Sequence, residues 1–305
     1  MKTPSNLLVV LDRSSSDAVV LAKAGRLARR FGARVELFLC DAERAFFLKH
    51  DYDSSHGEAL VRDYISQALA YLTGQRASAS LQGIEVAVSA ACESPLYEGI
   101  VHKVMQSRPD MVIKHASGVH SPAEAAFDPN DWQLMRKCPV TLLMTRGRAW
   151  HAHPRFAAAV DVSTEETEGL AAGILQTSAM LSAAHGCETD VLYSEPGTTG
   201  SGEIQTARAE ALRKLAQQCH VDLNGVRILQ GEPERALPAA VLEGRYDVLT
   251  MGALTHRPGI TTLVGTLTSK LVDAADCDFV LVKPEPPAST QVKGYAYESS
   301  GCRSE

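Results

Sequence analysis

Short apolar runs alternate along this chain with longer stretches in which apolar residues recur every three or four positions, and the whole alternation occurs twice. The first copy opens with "NLLVVLD", a run ending at Asp12. A Ser-rich segment then leads into Val20, Leu21, Ala24, Leu27 and Phe31, which have the spacing of one helix face. The second opens with "RFAAAVD", ends its run at Asp161 and continues through Leu170, Ile174, Leu175 and Leu181. A further run follows each helix, Val35 to Leu39 and Val191 to Tyr193, without room for a hairpin. The later parts repeat as well. "IEVAVSAACESP" matches "VRILQGEPER", a strand and a turn (Glu93 and Pro95, Glu232 and Pro233) before a helix. "PDMVIK" and "YDVLTMG" are strands introduced by Asp110 and Asp247, and each copy closes with a helix, a cysteine (Cys138, Cys277) and a final strand.

The order β-α-β-α-β-α-β-α-β in each copy predicts an α/β fold made of two doubly wound, parallel, five-stranded sheets in tandem. The predicted domains are residues 1–146 and 155–284, with "GRAWHAHP" (147–154) as linker. The tail 285–305, rich in Pro, Ser and charge, has no periodicity and reads as disordered. The last strands, Val140 to Met144 and Phe279 to Val282, are so apolar that they are expected to pair and hide each other's edges. In such sheets ligands bind beyond the carboxyl ends of the strands, where the strand order reverses.

Composition narrows the function. The 305 residues are 45% apolar and 22% charged, with a formal charge of −6, so the basic clusters that nucleic-acid binding draws on are missing. No apolar run approaches the roughly 20 residues of a membrane helix, and the N-terminal run is too short for a signal peptide. A cytoplasmic location is expected. Seven cysteines without a CxxC pair read as buried thiols. His151 and His153 lie two apart on the linker with no cysteine or carboxylate nearby, which favours a solvated linker over a metal site. Trp132 reads as a helix anchor on the sheet. There is no G-x-S-x-G elbow and no P-loop, so dedicated catalysis is not expected.

The stretch with most chemical promise is "MGALTHRPGITTLVGT", residues 251–266, between a fourth strand and a helix. A helix N-terminus offers unpaired N–H groups and partial positive charge, Gly265 would let a phosphate approach closely, and Thr266 adds a hydroxyl. Asp161 would face it across the crevice. The bland alternative is that Gly252 and Gly265 permit a turn and close helix packing, with Asp161 capping its own helix.

These residues resemble the universal stress protein family, whose nucleotide-binding members carry G-x2-G-x9-G-[ST] after strand four and an aspartate after strand one. Gly252 and Gly265-Thr266 keep the outer spacing and Asp161 matches the aspartate. The middle glycine is replaced by Thr255, or by His256 if the loop aligns Arg257-Pro258-Gly259 with the family's R-x-G. The resemblance implies the adenine nucleotide alpha hydrolase-like fold, and ATP or another adenine nucleotide as the small-molecule ligand. It implies contacts from Asp161, Val162, Tyr193, Met251, Gly252, Gly259, Gly265 and Thr266. The first half, through "FDPNDWQLMRKCPV", resembles the N-terminal half of tandem members of the E type. There the glycine loop is gone, and Lys114 and His115 stand where the second half has Met251 and Gly252.

The expected protein is therefore a stress-response binding protein whose second half senses a nucleotide. Its two halves would form an intramolecular pseudo-dimer, with a homodimer of chains and unidentified protein partners left open. An ion pair between Asp12 and Lys114 is expected at the mouth of the first half. The rival readings are a carrier of an apolar ligand, in a crevice lined by Val9, Leu11, Phe38 and Ile113, and a ligand-free scaffold.

Overall fold

The computed structural model of the chain describes residues 3–43, 45, 54–116, 128–162, 169–195, 202–253, 271 and 274–283. In the first half the elements are β1 (Asn6–Leu11), α1 (Asp17–Phe31), β2 (Arg34–Cys40), α2 (Ser54–Arg76), β3 (Val86–Ala91), α3 (Leu96–Ser107), β4 (Met111–His115), α4 (Pro129–Lys137) and β5 (Thr141–Thr145). The second half holds β6 (Phe156–Ala159), α5 (Leu170–Ala184), β7 (Thr189–Glu195), α6 (Gly202–Gln218), β8 (Leu223–Gln230), α7 (Pro233–Gly244), β9 (Val248–Gly252) and β10 (Asp278–Val282). The two five-stranded sets join in one ten-stranded sheet of order β3-β2-β1-β4-β5-β10-β9-β6-β7-β8.

Within each half the strands are parallel and covered on both faces, which explains why their sequences are continuous apolar runs rather than alternating ones. All six residues of β1 are buried. One core lies under α1, α2, α5 and α6 and is built on Leu7, Val9, Leu27, Leu72, Leu175 and Leu212. The other lies under α3, α4 and α7 and includes Leu8, Ile100, Leu134, Val241 and Phe279. The helical stripe expected from Val20 to Leu27 is buried, as are Ile174, Leu175 and Leu181. Trp132 packs on the second core from α4, as expected of an anchor, and Cys138 and Cys277 are buried in that core. Gly32 ends α1 at φ 66°, its N–H returning to the Ala28 carbonyl, a conformation that costs glycine little.

The final strands meet as an antiparallel ladder, Met144 opposite Phe279 and Leu142 opposite Leu281. This ladder makes the strands of the two halves point opposite ways. The carboxyl end of β5 and the start of β6 then lie at the same edge, so a short linker joins them without crossing the sheet. That linker is tied down at its backbone. The Asp278 carboxylate accepts from the Arg146 amide (2.7 Å), Trp150 Nε1 (2.7 Å) and Lys23 Nζ (2.7 Å). Asp247 accepts from the amides of His151 (3.1 Å) and Arg155 (2.9 Å), and Arg26 donates to the carbonyls of His151 and Ala152. The side chains of His151 and His153 are exposed, and no group of metal-ligating side chains occurs among the described residues. No described helix is long and apolar enough to cross a membrane.

Candidate functional site

Strand order reverses between β1 and β4 in the first half and between β6 and β9 in the second, so the carboxyl ends of these pairs mark the two candidate sites. Because the halves run antiparallel at the seam, the two sites open at opposite edges of the sheet. The registers Leu7–Met111 and Phe156–Val248 are equivalent. Lys114 therefore occupies the place of Met251, and His115 that of Gly252.

In the first half this place is filled by charge. Lys114 Nζ sits 2.6 Å from Asp131 Oδ1 of α4, both side chains almost completely buried, and also donates to the His115 carbonyl at 2.8 Å. The expected partner, Asp12, is not the one at contact distance. Val10 is the register partner of Lys114, so Asp12 lies two residues further out, exposed, and accepts from the Ser14 amide at 2.9 Å. Burial raises the Asp12 carboxyl, but the Ser14 hydrogen bonds and the charge of Lys114 outweigh it and leave the pKa below its ordinary value. Asp17 organises the rest of the mouth. It accepts from the amides of Asp12 and Arg13 and from the Tyr71 hydroxyl (2.6 Å), and the Arg13 guanidinium lies over the rings of Tyr64 and Tyr71 at 5.5 and 5.6 Å.

Val9, Leu11, Phe38 and Ile113, expected to line an apolar crevice here, are core residues with at most 2% exposure. Phe38 lies on the opposite face of the sheet from the other three. Close packing, not a pocket, is what they build.

In the second half the described residues at the corresponding place, Met251 and Gly252, carry no charge. Asp161 is exposed just past β6, and Val162 beside it packs partly against the core. Met251 and Tyr193 are each 5% exposed, so both side chains belong to the core. Arg208 of α6 lies over the Tyr193 ring at 5.7 Å and pairs with Glu195 at 3.4 Å. Burial, with the charges of Glu195 and Asp161 adding to it, raises the Tyr193 pKa against the pull of Arg208. A Cβ on Gly252 would stand 2.9 Å from Leu170 Cδ2 and 3.5 Å from Ile174 Cδ1. Leu170 and Ile174 of α5 thus approach the strand end at this glycine. Gly259, Gly265 and Thr266, with Thr255 and His256, lie outside the described residues, and so does the tail 285–305.

Sequence reading missed Asp131, Lys23, Asp278 and Arg208. A signal existed for Lys23, which interrupts the apolar stripe of α1 between Val20 and Leu27 and so required a buried partner. Asp131 and Arg208 carry no such signal, because each meets its partner through tertiary packing alone.

With this geometry in hand, comparisons place the protein. Residues 4–146 match the family model described as "Universal stress protein family". The fold is shared with a putative universal stress protein from Pseudomonas aeruginosa UCBPP-PA14 (22% identity, TM-score 0.69, covering 92% of this chain and 94% of that one). It is shared also with a universal stress protein from Archaeoglobus fulgidus DSM 4304 (14%, TM-score 0.68, covering 91% and 98%). The family match covers the first half of the chain, and the fold of the two halves together is the one these universal stress protein structures have. The chain is similar along its length to universal stress protein E of Photorhabdus laumondii, at 24% identity over 93% of this chain and 96% of the relative. To universal stress protein E of Escherichia coli K12 it is 23% identical over 92% and 94%.

Proposed function

We propose that the chain is a cytoplasmic stress-response binding protein whose second half, residues 155–284, takes ATP or another adenine nucleotide without dedicated catalysis, while the first half, residues 1–146, is structural. The two halves act as a built-in pair. The observation that carries this reading is the contrast at one position: Lys114 and Asp131 fill the switch point of the first half with a buried ion pair, whereas among the described residues that of the second holds Met251 and Gly252, with the exposed Asp161 beside them and no charge pair. The sequence of the loop after β9, with Gly259 and Gly265-Thr266, supplies the remaining argument.

Calorimetry of the full-length chain with ATP tests the proposal. Asp161→Ala and Gly265→Val should abolish or weaken binding, and Lys114 variants that remain folded should leave it unchanged. Thr255→Gly or His256→Gly should strengthen it by about tenfold, since a residue with a Cβ pays roughly 1–2 kcal/mol at positive φ. Absence of binding in the wild type and in every glycine variant would overturn the nucleotide reading. Mass spectrometry of molecules released from the purified protein would then distinguish a carrier from a scaffold.

A further inference from the structure

One buried group at the seam has no role in the nucleotide site. His185, the residue that ends α5, is 7% exposed. Its Nδ1 lies 2.8 Å from the Leu181 carbonyl, which can only accept, so Nδ1 carries the proton and Nε2 presents a bare lone pair. Nε2 is buried and has no hydrogen-bond partner among the described residues. The ring is held by aromatics on two sides: Trp150 of the linker edge-on at 5.6 Å and Phe156 of β6 at 5.3 Å.

The charges facing it are of one sign. Arg26 and Arg30 approach from α1 of the other half, and both oppose a positive charge on the imidazole. Arg26 is the residue that clips the linker carbonyls of His151 and Ala152 to α1. Cys187, the remaining titratable neighbour on the chain beyond α5, donates to the carbonyls of Ser182 and Pro154. The carboxylates of the seam are already committed: Asp278 to Lys23, Trp150 and the Arg146 amide, and Asp247 to His151 and Arg155. A proton on Nε2 would create a third cation beside two arginines, pressed on the one aromatic that anchors the linker.

We infer that His185, Arg26, Arg30 and Trp150 form an acid-sensitive latch between the two halves: neutral His185 keeps the linker seated, and its protonation releases Trp150 and the Arg26 clip. The direction of response follows from the surroundings. Burial lowers the His185 pKa, and Arg26 and Arg30 lower it further against the pull of the Leu181 carbonyl. Folded protein thus takes up this proton less readily than unfolded chain. The latch is at full strength above about pH 6.5, the ordinary histidine value, and weakens as pH falls through the lower folded value.

The chain has two tryptophans, so Trp132→Phe leaves Trp150 as sole reporter. In that full-length background, Trp150 emission followed from pH 8 to pH 5 should show a transition centred below about pH 6.5. Amide protection at His151 should be lost through the same midpoint. His185→Gln should remove the transition. Arg30→Gln, at an exposed position where folding is not in question, should move the midpoint upward by removing a like charge. The latch is overturned if the transition survives in His185→Gln, if Arg30→Gln leaves the midpoint in place, or if linker protection is unchanged across it.

Discussion

The two halves share strand order and register, yet they treat the same point at the end of the fourth strand in opposite ways. The first half places a lysine there and brings a carboxylate from α4 to meet it in the core; the second places Met251 and Gly252 there and lets α5 close over the glycine. The scaffold needs only that the space beside the first and fourth strands be accounted for. In the first half a buried salt bridge accounts for it; in the second the described residues put an uncharged strand end and the side chains of α5 there, beside an exposed aspartate. A fold held in common is thus compatible with one half that binds and one that does not.

That comparison can be broken by exchanging the halves' residues. Lys114→Met, which copies the second half, removes the cation that faces Asp131, a carboxylate at 0% exposure, and should cost about 3–5 kcal/mol in chemical denaturation. Adding Asp131→Leu should return most of the loss, because an apolar pair of similar volume is often as stable as a buried ion pair. If the single change is neutral, the charge pair is not what fills the first site. Gly252→Ala tests the second half from the other side. Its Cβ meets the terminal methyl of Leu170, a flexible side-chain end that can shift, and should destabilise by no more than about 1 kcal/mol whether or not ATP is present, whereas a glycine needed only for ligand would show its effect in affinity alone. Tyr71→Phe removes the hydroxyl that holds α2 to Asp17 in the first half and should cost roughly 1 kcal/mol by thermal unfolding. At the small end, Arg148→Ala breaks an exposed pair with Asp276 at 3.4 Å and should change stability by about 0–1 kcal/mol, a baseline for the buried pairs.

The apolar pattern made the fold legible because a parallel sheet buried on both faces leaves runs and stripes that survive in sequence, as β1 and the Val20 to Leu27 stripe show. The pairing of the last strands was legible for the same reason. Side-chain partners were not. Asp12 and Lys114 are brought near each other by strand adjacency, but two residues beyond the register partner is roughly 7 Å along a strand, and Asp131 reaches Lys114 first. Likewise Val9, Leu11 and Ile113 share a sheet face with each other and not with Phe38, a distinction that composition does not carry. Gly252 was legible as special, though its reason, the approach of Leu170, lies on a different element.

The seam holds a further lesson in the pair Lys23–Asp278. A dimer of identical chains must make every contact twice, once in each direction across its axis. Here the registers place Thr177 of α5 where Lys23 stands in α1, and Thr141 of β5 where Asp278 stands in β10. The lysine–aspartate contact therefore occurs on one side of the seam, with two threonines at the mirrored place. Joining two copies of the first half would bury two lysines with no carboxylate to receive them, and joining two copies of the second would bury two aspartates with no cation. Each half is consequently addressed to the other and not to itself. Fusion into one chain frees the seam from self-complementarity, so a charge pair that a symmetric dimer would have to duplicate occurs here on one side alone.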